Sequence, residues 1–253
     1  MTRYPGTVQG YLSSLLRQGP VHFTLIDPDK SPGARAASIA RQAVELGSHL
    51  ILLGGSTGIS ADQMGSTART VKDAVDVPVV IFPESASSLT SEADAVLFMS
   101  LLNSRNLDLV IRAHSRAAPV VRSMGLEPLA TGYLVIAPGM RVGEVGQVDI
   151  VGREDRSLAQ GYALAAEYLG VRFVYLEAGS GAPAPVPVEM VRSVREVLSI
   201  PLIVGGGIRS GPEARALLEA GAQVLVTGTI TEQEGIRDGF RAITEEVRKA
   251  RAT

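Results

Sequence analysis

Short apolar runs alternate with segments of helical period along nearly the whole chain. Residues 21–26, 50–53, 79–82, 95–99, 132–136, 173–176, 202–204 and 224–226 are rich in Val, Ile and Leu and read as strands. Between them, 34–46, 107–118, 158–169, 188–198, 213–220 and 235–248 space their apolar residues as helices do. Nearly continuous apolar strands joined by helical crossovers imply a parallel sheet buried on both faces. Eight such units predict a (β/α)8 TIM barrel, read here as one domain over residues 1–253. One unit is short. Residues 83–93 read PESASSLTSEA, a Ser-rich link too brief for a packed helix, so the third barrel helix is expected to be missing or replaced by a loop.

The two ends of the strands differ in chemistry. Helix-to-strand joints carry simple stops, with Gly47, Gly170 and Gly221 each placed for a left-handed C-terminal cap. Strand-to-helix joints read DPDK, GGSTG, FPES, EAGSG, GGGIRS and GTITE. In a barrel these joints share the C-terminal face, where active sites are built.

Composition then narrows the classes. The absence of Cys excludes a disulfide scaffold, a thiolate metal site and a Cys nucleophile. A net charge of -2 with no long basic run argues against nucleic acid as a partner. The start, MTRYPGTVQG, has no signal-peptide pattern, and no apolar run approaches the roughly 18 residues of a membrane span. A soluble, cytoplasmic protein is expected. His22, His49 and His114 have no ligand spacing and read as core or surface residues.

The sharpest chemical signal is Gly205-Gly206-Gly207 after the seventh strand with Gly228-Thr229 after the eighth. Glycines admit main-chain N–H groups close to an anion, and barrels commonly hold phosphate at this place. The plainer alternative is that they only make tight turns. In Tyr175-Leu176-Glu177-Ala178-Gly179-Ser180-Gly181, Glu177 ends a buried strand, where a carboxylate is costly unless paired or used. It could serve as a general base, or simply accept loop N–H groups. Asp27-Pro28-Asp29-Lys30 offers carboxylates for a phosphate-bridging Mg²⁺, an ion that needs few protein ligands. Gly54-Gly55-Ser56-Thr57-Gly58 could add a hydroxyl, but lacks the Gly-Lys-Ser/Thr of a P-loop.

Taken together, FTLIDPDK, LLGGSTGI, LFMSLLNSRN, GYLVIAPG, ALAAEYLGVRFVYLEAGSGAP, PLIVGGGIRSGPEA and VTGTITE resemble the geranylgeranylglyceryl phosphate synthase family, in order and with its spacing. The resemblance implies a modified barrel without its third helix. It also implies Mg²⁺-dependent transfer of a prenyl chain from geranylgeranyl diphosphate to the 3-hydroxyl of sn-glycerol 1-phosphate, the first ether bond of archaeal membrane lipids. Carried over by position, Asp27 and Ser56 are the metal residues. Tyr175 to Gly181, Gly206, Gly207, Gly228 and Thr229 form the glycerol phosphate site, with Glu177 receiving the hydroxyl proton. The length and the GTI motif resemble the larger archaeal subgroup, which implies a homo-oligomer, dimer or hexamer, with peripheral membrane contact at most. The chain departs from the family after Asn103-Ser104-Arg105-Asn106, where Leu107 to His114 replace an aromatic and Gly-Ala-Gln stretch that leads in relatives to the prenyl groove. Competing readings are a relative using a longer donor such as heptaprenyl diphosphate, a sugar-phosphate isomerase or aldolase with Lys30 as its lysine, and a non-catalytic phosphate-binding barrel.

Overall fold

Strand alternation decides which side chains fill the barrel and which meet the helices around it. A computed structural model describes residues 6–55, 58–228 and 237–252. Its eight parallel strands close in the order of the chain: β1 (Val21–Ile26), β2 (Leu50–Gly54), β3 (Val79–Phe82), β4 (Ala95–Leu101), β5 (Glu127–Val135), β6 (Phe173–Glu177), β7 (Leu202–Gly205) and β8 (Val224–Thr227). Phe23, Leu50, Leu52, Leu97, Leu129, Tyr133, Tyr175 and Ile203 point into the barrel, while Ile51, Leu53, Val174, Leu176 and Val204 pack outward. The outer layer is α2 (Ala34–Glu45), α3 (Ala61–Lys72), α4 (Ala113–Ser123), α6 (Arg156–Tyr168), α7 (Val188–Val197), α8 (Gly211–Glu219) and α9 (Arg237–Arg251), with the short α5 (Met140–Val145) after β5. The glycines that follow α2, α6 and α8 have φ of 108°, 90° and 102°, the positive region that ends a helix cheaply only with glycine.

Between β3 and β4 stands a single 3-10 turn, Ala86–Ser88, so the third helix is indeed replaced by a loop. Two elements differ from the pattern. β5 begins at Glu127, five residues before the apolar run that marks it. Its carboxylate accepts the N–H groups of Val8 and Gln9 at 2.5 and 2.9 Å, so a charged residue can open a strand there. These are the unbonded first amides of α1 (Val8–Leu16), whose Val8 and Leu12 plug the lower end of the barrel. The helix after β4 starts as a π turn over Asp108–Arg112 and runs past Pro119 to Ser123. Pro119 lies on the exposed side, where water can take the carbonyl it leaves unbonded.

Candidate active site at the C-terminal face

Glu177 closes β6 with its side chain turned inward, because Tyr175 and Glu177 occupy alternate positions on the strand. Only 6% of it is exposed. Oε1 accepts the Gly179 N–H at 2.7 Å, and the hydroxyls of Tyr175 and Tyr133 also hydrogen-bond to the carboxylate. Burial is the stronger influence and raises its pKa above the ordinary carboxylate value. The Gly179 N–H and the two phenols, which stabilise the anion, pull it partly back. Sheet register sets this trio, since Tyr133 pairs with Tyr175 and Glu177 pairs with Gly205.

The glycines of the next loop are required by contact. A Cβ on Gly205 would lie 2.1 Å from the Tyr175 hydroxyl, and one on Gly206 would lie 2.3 Å from Glu177 Oε1. Gly206 and Gly207 also have φ of 81° and 74°. The GGG run is therefore more than a turn: it lets the β7 loop close onto Glu177. Ser210 and Glu213 form a capping box at the start of α8, fixing where that loop ends.

Across the barrel mouth, Asp27 is 4% exposed at the tip of β1. Its Oδ1 accepts the Asp29 N–H at 3.0 Å, and Lys30 Nζ lies 3.5 Å from Oδ2. A Cβ on Gly55 would stand 3.6 Å from the same Oδ2, so a glycine keeps space in front of the carboxylate. Ser56 and Thr229 lie outside the described residues. No group of three or more His, Asp or Glu side chains comes together as a metal centre among the described residues.

A cavity of about 740 Å³ joins these parts. Its polar lining includes Glu177, Ser180, Gly181, Gly206, Gly207 and Gly228, beside Tyr133 and Tyr175, and also Lys30 and Gly55. Its apolar lining comprises Phe82, which packs edge-to-face on Tyr133 and Tyr175, with Leu89, Leu97, Met99, Leu109 and Ala117, and includes residues of the loop that replaces the third helix. Of the family-implied residues, Leu176 and Ala178 bury their side chains in the outer layer, and the Gly179 N–H is taken by Glu177. His114 lines the groove, its ring 4.8 Å from that of Phe98, while His22 is a core residue bonded to Ser48 and Thr227.

Tyr133 escaped the sequence reading. It could have been found only by aligning β5 against β6.

Fold and site together define a parallel (β/α)8 barrel whose upper face unites a glycine-lined polar pocket, a buried carboxylate and an apolar groove. The sequence pattern of the PcrB family matches residues 14–247, and the chain belongs to that family. It is 45% identical over 243 residues to a geranylgeranylglyceryl phosphate synthase of Pyrococcus horikoshii, covering 96% of each chain. A namesake from Methanosarcina acetivorans is 47% identical over 242 residues, covering 95% of this chain and 97% of the relative. The crystal structure of (S)-3-O-geranylgeranylglyceryl phosphate synthase from Thermoplasma acidophilum in complex with sn-glycerol-1-phosphate superposes with a TM-score of 0.93 at 42% identity, covering 96% of this chain and 99% of that one.

Proposed function

We propose that this protein transfers a geranylgeranyl group from its diphosphate to the 3-hydroxyl of sn-glycerol 1-phosphate, making the first ether bond of an archaeal membrane lipid. The carrying observation is the single cavity that leads from the glycine loops past Glu177 into an apolar groove. Its volume of about 740 Å³ falls within the range of small-molecule sites, roughly 300–1,000 Å³. The names of the relatives and the substrate in the Thermoplasma acidophilum complex support the same reading.

In this mechanism the glycine loops after β6, β7 and β8 hold the phosphate and so fix the hydroxyl beside Glu177, which is catalysis by positioning. Glu177 takes the proton as the new C–O bond forms. A buried carboxylate of raised pKa suits that task, because it is more basic than one in water. Tyr133 and Tyr175 keep its orientation fixed from below. The groove buries the tail, at about 0.8 kcal/mol per CH₂ removed from water.

Mg²⁺ belongs to the proposal, with Asp27 to hold it and Ser56 as the second position. The fit rests on the buried Asp27 carboxylate facing a glycine, and on an ion that keeps water and substrate phosphate among its ligands. When bound, the ion offsets charge on the departing diphosphate. A cytoplasmic homo-oligomer, dimer or hexamer, completes the reading. Supporting the oligomer are Tyr168 and Leu169, large apolar side chains exposed at the end of α6.

The direct test incubates labelled sn-glycerol 1-phosphate with prenyl diphosphates of several lengths. The expected product is the geranylgeranyl ether. Absence of transfer from every prenyl diphosphate tried would overturn the proposal, and a clear preference for a longer donor would move the protein to the longer-tail class.

A further inference from the structure

Arg209 sits just beyond the glycine run, on the exposed surface, and its guanidinium donates to three main-chain carbonyls. Nη1 reaches Pro183 O at 3.2 Å and Gly207 O at 3.3 Å, and Nη2 reaches Gly181 O at 3.1 Å. Two of these acceptors belong to the loop after β6 and one to the loop after β7, so a single side chain ties the two loops together. The main chain of Arg209 is itself held, its N–H donating to Glu213 Oε2 at 2.8 Å. The loops approach as closely as glycine allows: a Cβ on Gly206 would lie 2.7 Å from Gly179 N, and one on Gly207 would lie 2.5 Å from Ala184 O.

We propose that Arg209 is a positioning residue for the phosphate site, setting the spacing and peptide orientation of the two glycine loops before substrate arrives. This rests on the reading that those loops hold the glycerol phosphate. Peptide units are planar and trans, so fixing a carbonyl also fixes the following N–H in the opposite direction. Anchoring Gly207 O thus orients the Ile208 N–H, and anchoring Pro183 O orients the Ala184 N–H. Both loops carry glycines of positive φ, which have the widest backbone freedom and the most to lose on ordering. A planar fork that contacts three carbonyls at once removes that freedom, and lysine, a point donor on a flexible stem, cannot reproduce the fork.

The experiment compares the parent with Arg209→Ala and Arg209→Lys by steady-state kinetics in sn-glycerol 1-phosphate. It also follows amide hydrogen exchange of residues 179–184 and 206–208 without any ligand. For Arg209→Ala the KM for glycerol phosphate should rise by roughly tenfold or more, with a much smaller change in kcat. The loop amides should exchange faster while the thermal midpoint stays close to that of the parent, and Arg209→Lys should recover little of either. Full recovery with lysine would overturn the proposal in favour of a simple charge effect on the phosphate. So would an unchanged KM with unchanged exchange. If the parent itself neither binds nor turns over glycerol phosphate, the functional reading fails, while the exchange data still decide whether Arg209 orders the loops.

Discussion

The upper face of the barrel has two sides built on opposite principles. On the β6 and β7 side, loops meet at distances only glycine permits and are tied through their carbonyls, with Arg209 joining the loop after β6 to the loop after β7. Arg153 extends the binding to the β5 loop by donating to Ala137 O and Pro185 O. Beside β3 a helix is absent, and the wall there is mostly apolar side chains, with Gly58 N–H donating to Glu84 at 2.7 Å between the loops after β2 and β3. Chemistry at a hydroxyl demands fixed donors, whereas accommodation of a long tail demands room. The barrel obtains the first by hydrogen bonds between loops and the second by omitting an element.

Substitutions can separate the two sides. The largest effect is expected on the polar side, where Glu177→Gln should lower turnover by roughly 10²–10⁴ with glycerol phosphate binding largely retained. Unchanged turnover in a folded variant would reduce Glu177 to a loop anchor. On the apolar side, one isoprene unit is worth up to roughly 4 kcal/mol of burial. Leu109→Ala should therefore lengthen the accepted tail and Ala113→Phe should shorten it, since both residues line the groove. Ile111, on the same helix, is 57% exposed and absent from the lining, so Ile111→Ala should leave product length alone. Product analysis by mass spectrometry checks all three. Between the sides, Asp27→Asn should raise the Mg²⁺ needed for half-maximal activity by roughly tenfold or more, read from a metal titration. An unaltered titration would make Asp27 a loop anchor for Asp29 and Lys30. The smallest effect concerns Tyr133. Its hydroxyl lowers the Glu177 pKa, so Tyr133→Phe should let burial raise that pKa further. A base works only when deprotonated, so the acid limb of the kcat profile should move to higher pH. Movement the other way would mean that Tyr133 does not stabilise the anion.

Much of this was legible before any coordinates. Short, nearly continuous apolar runs made the eight strands visible, and the Ser-rich 83–93 link betrayed the absent helix by its length. The glycine runs were visible as candidates, but whether they merely turned the chain could not be read from a string. The deciding quantity is the distance from Gly206 to Glu177, which depends on strand register. Tyr133 was hidden for the same reason, being one aromatic in an apolar strand until β5 is laid beside β6. α1 was hidden because its place depends on a carboxylate 119 residues away, on Glu127.

Closure of the barrel has a consequence for how the chain is made. β1 joins β8 through the His22 to Thr227 contact between residues 205 apart, and Arg251 on α9 donates to the carbonyls of Leu15, Gly19 and Pro20. A ribosome adding about 5–20 residues per second needs roughly 10–40 s to supply the second half of that seam after the first has emerged. During this interval β1 has one edge paired at most, an unpaired row of main-chain donors and acceptors open to wrong partners. A stalled or slowly translated message would lengthen that exposure without altering a single residue of the finished enzyme.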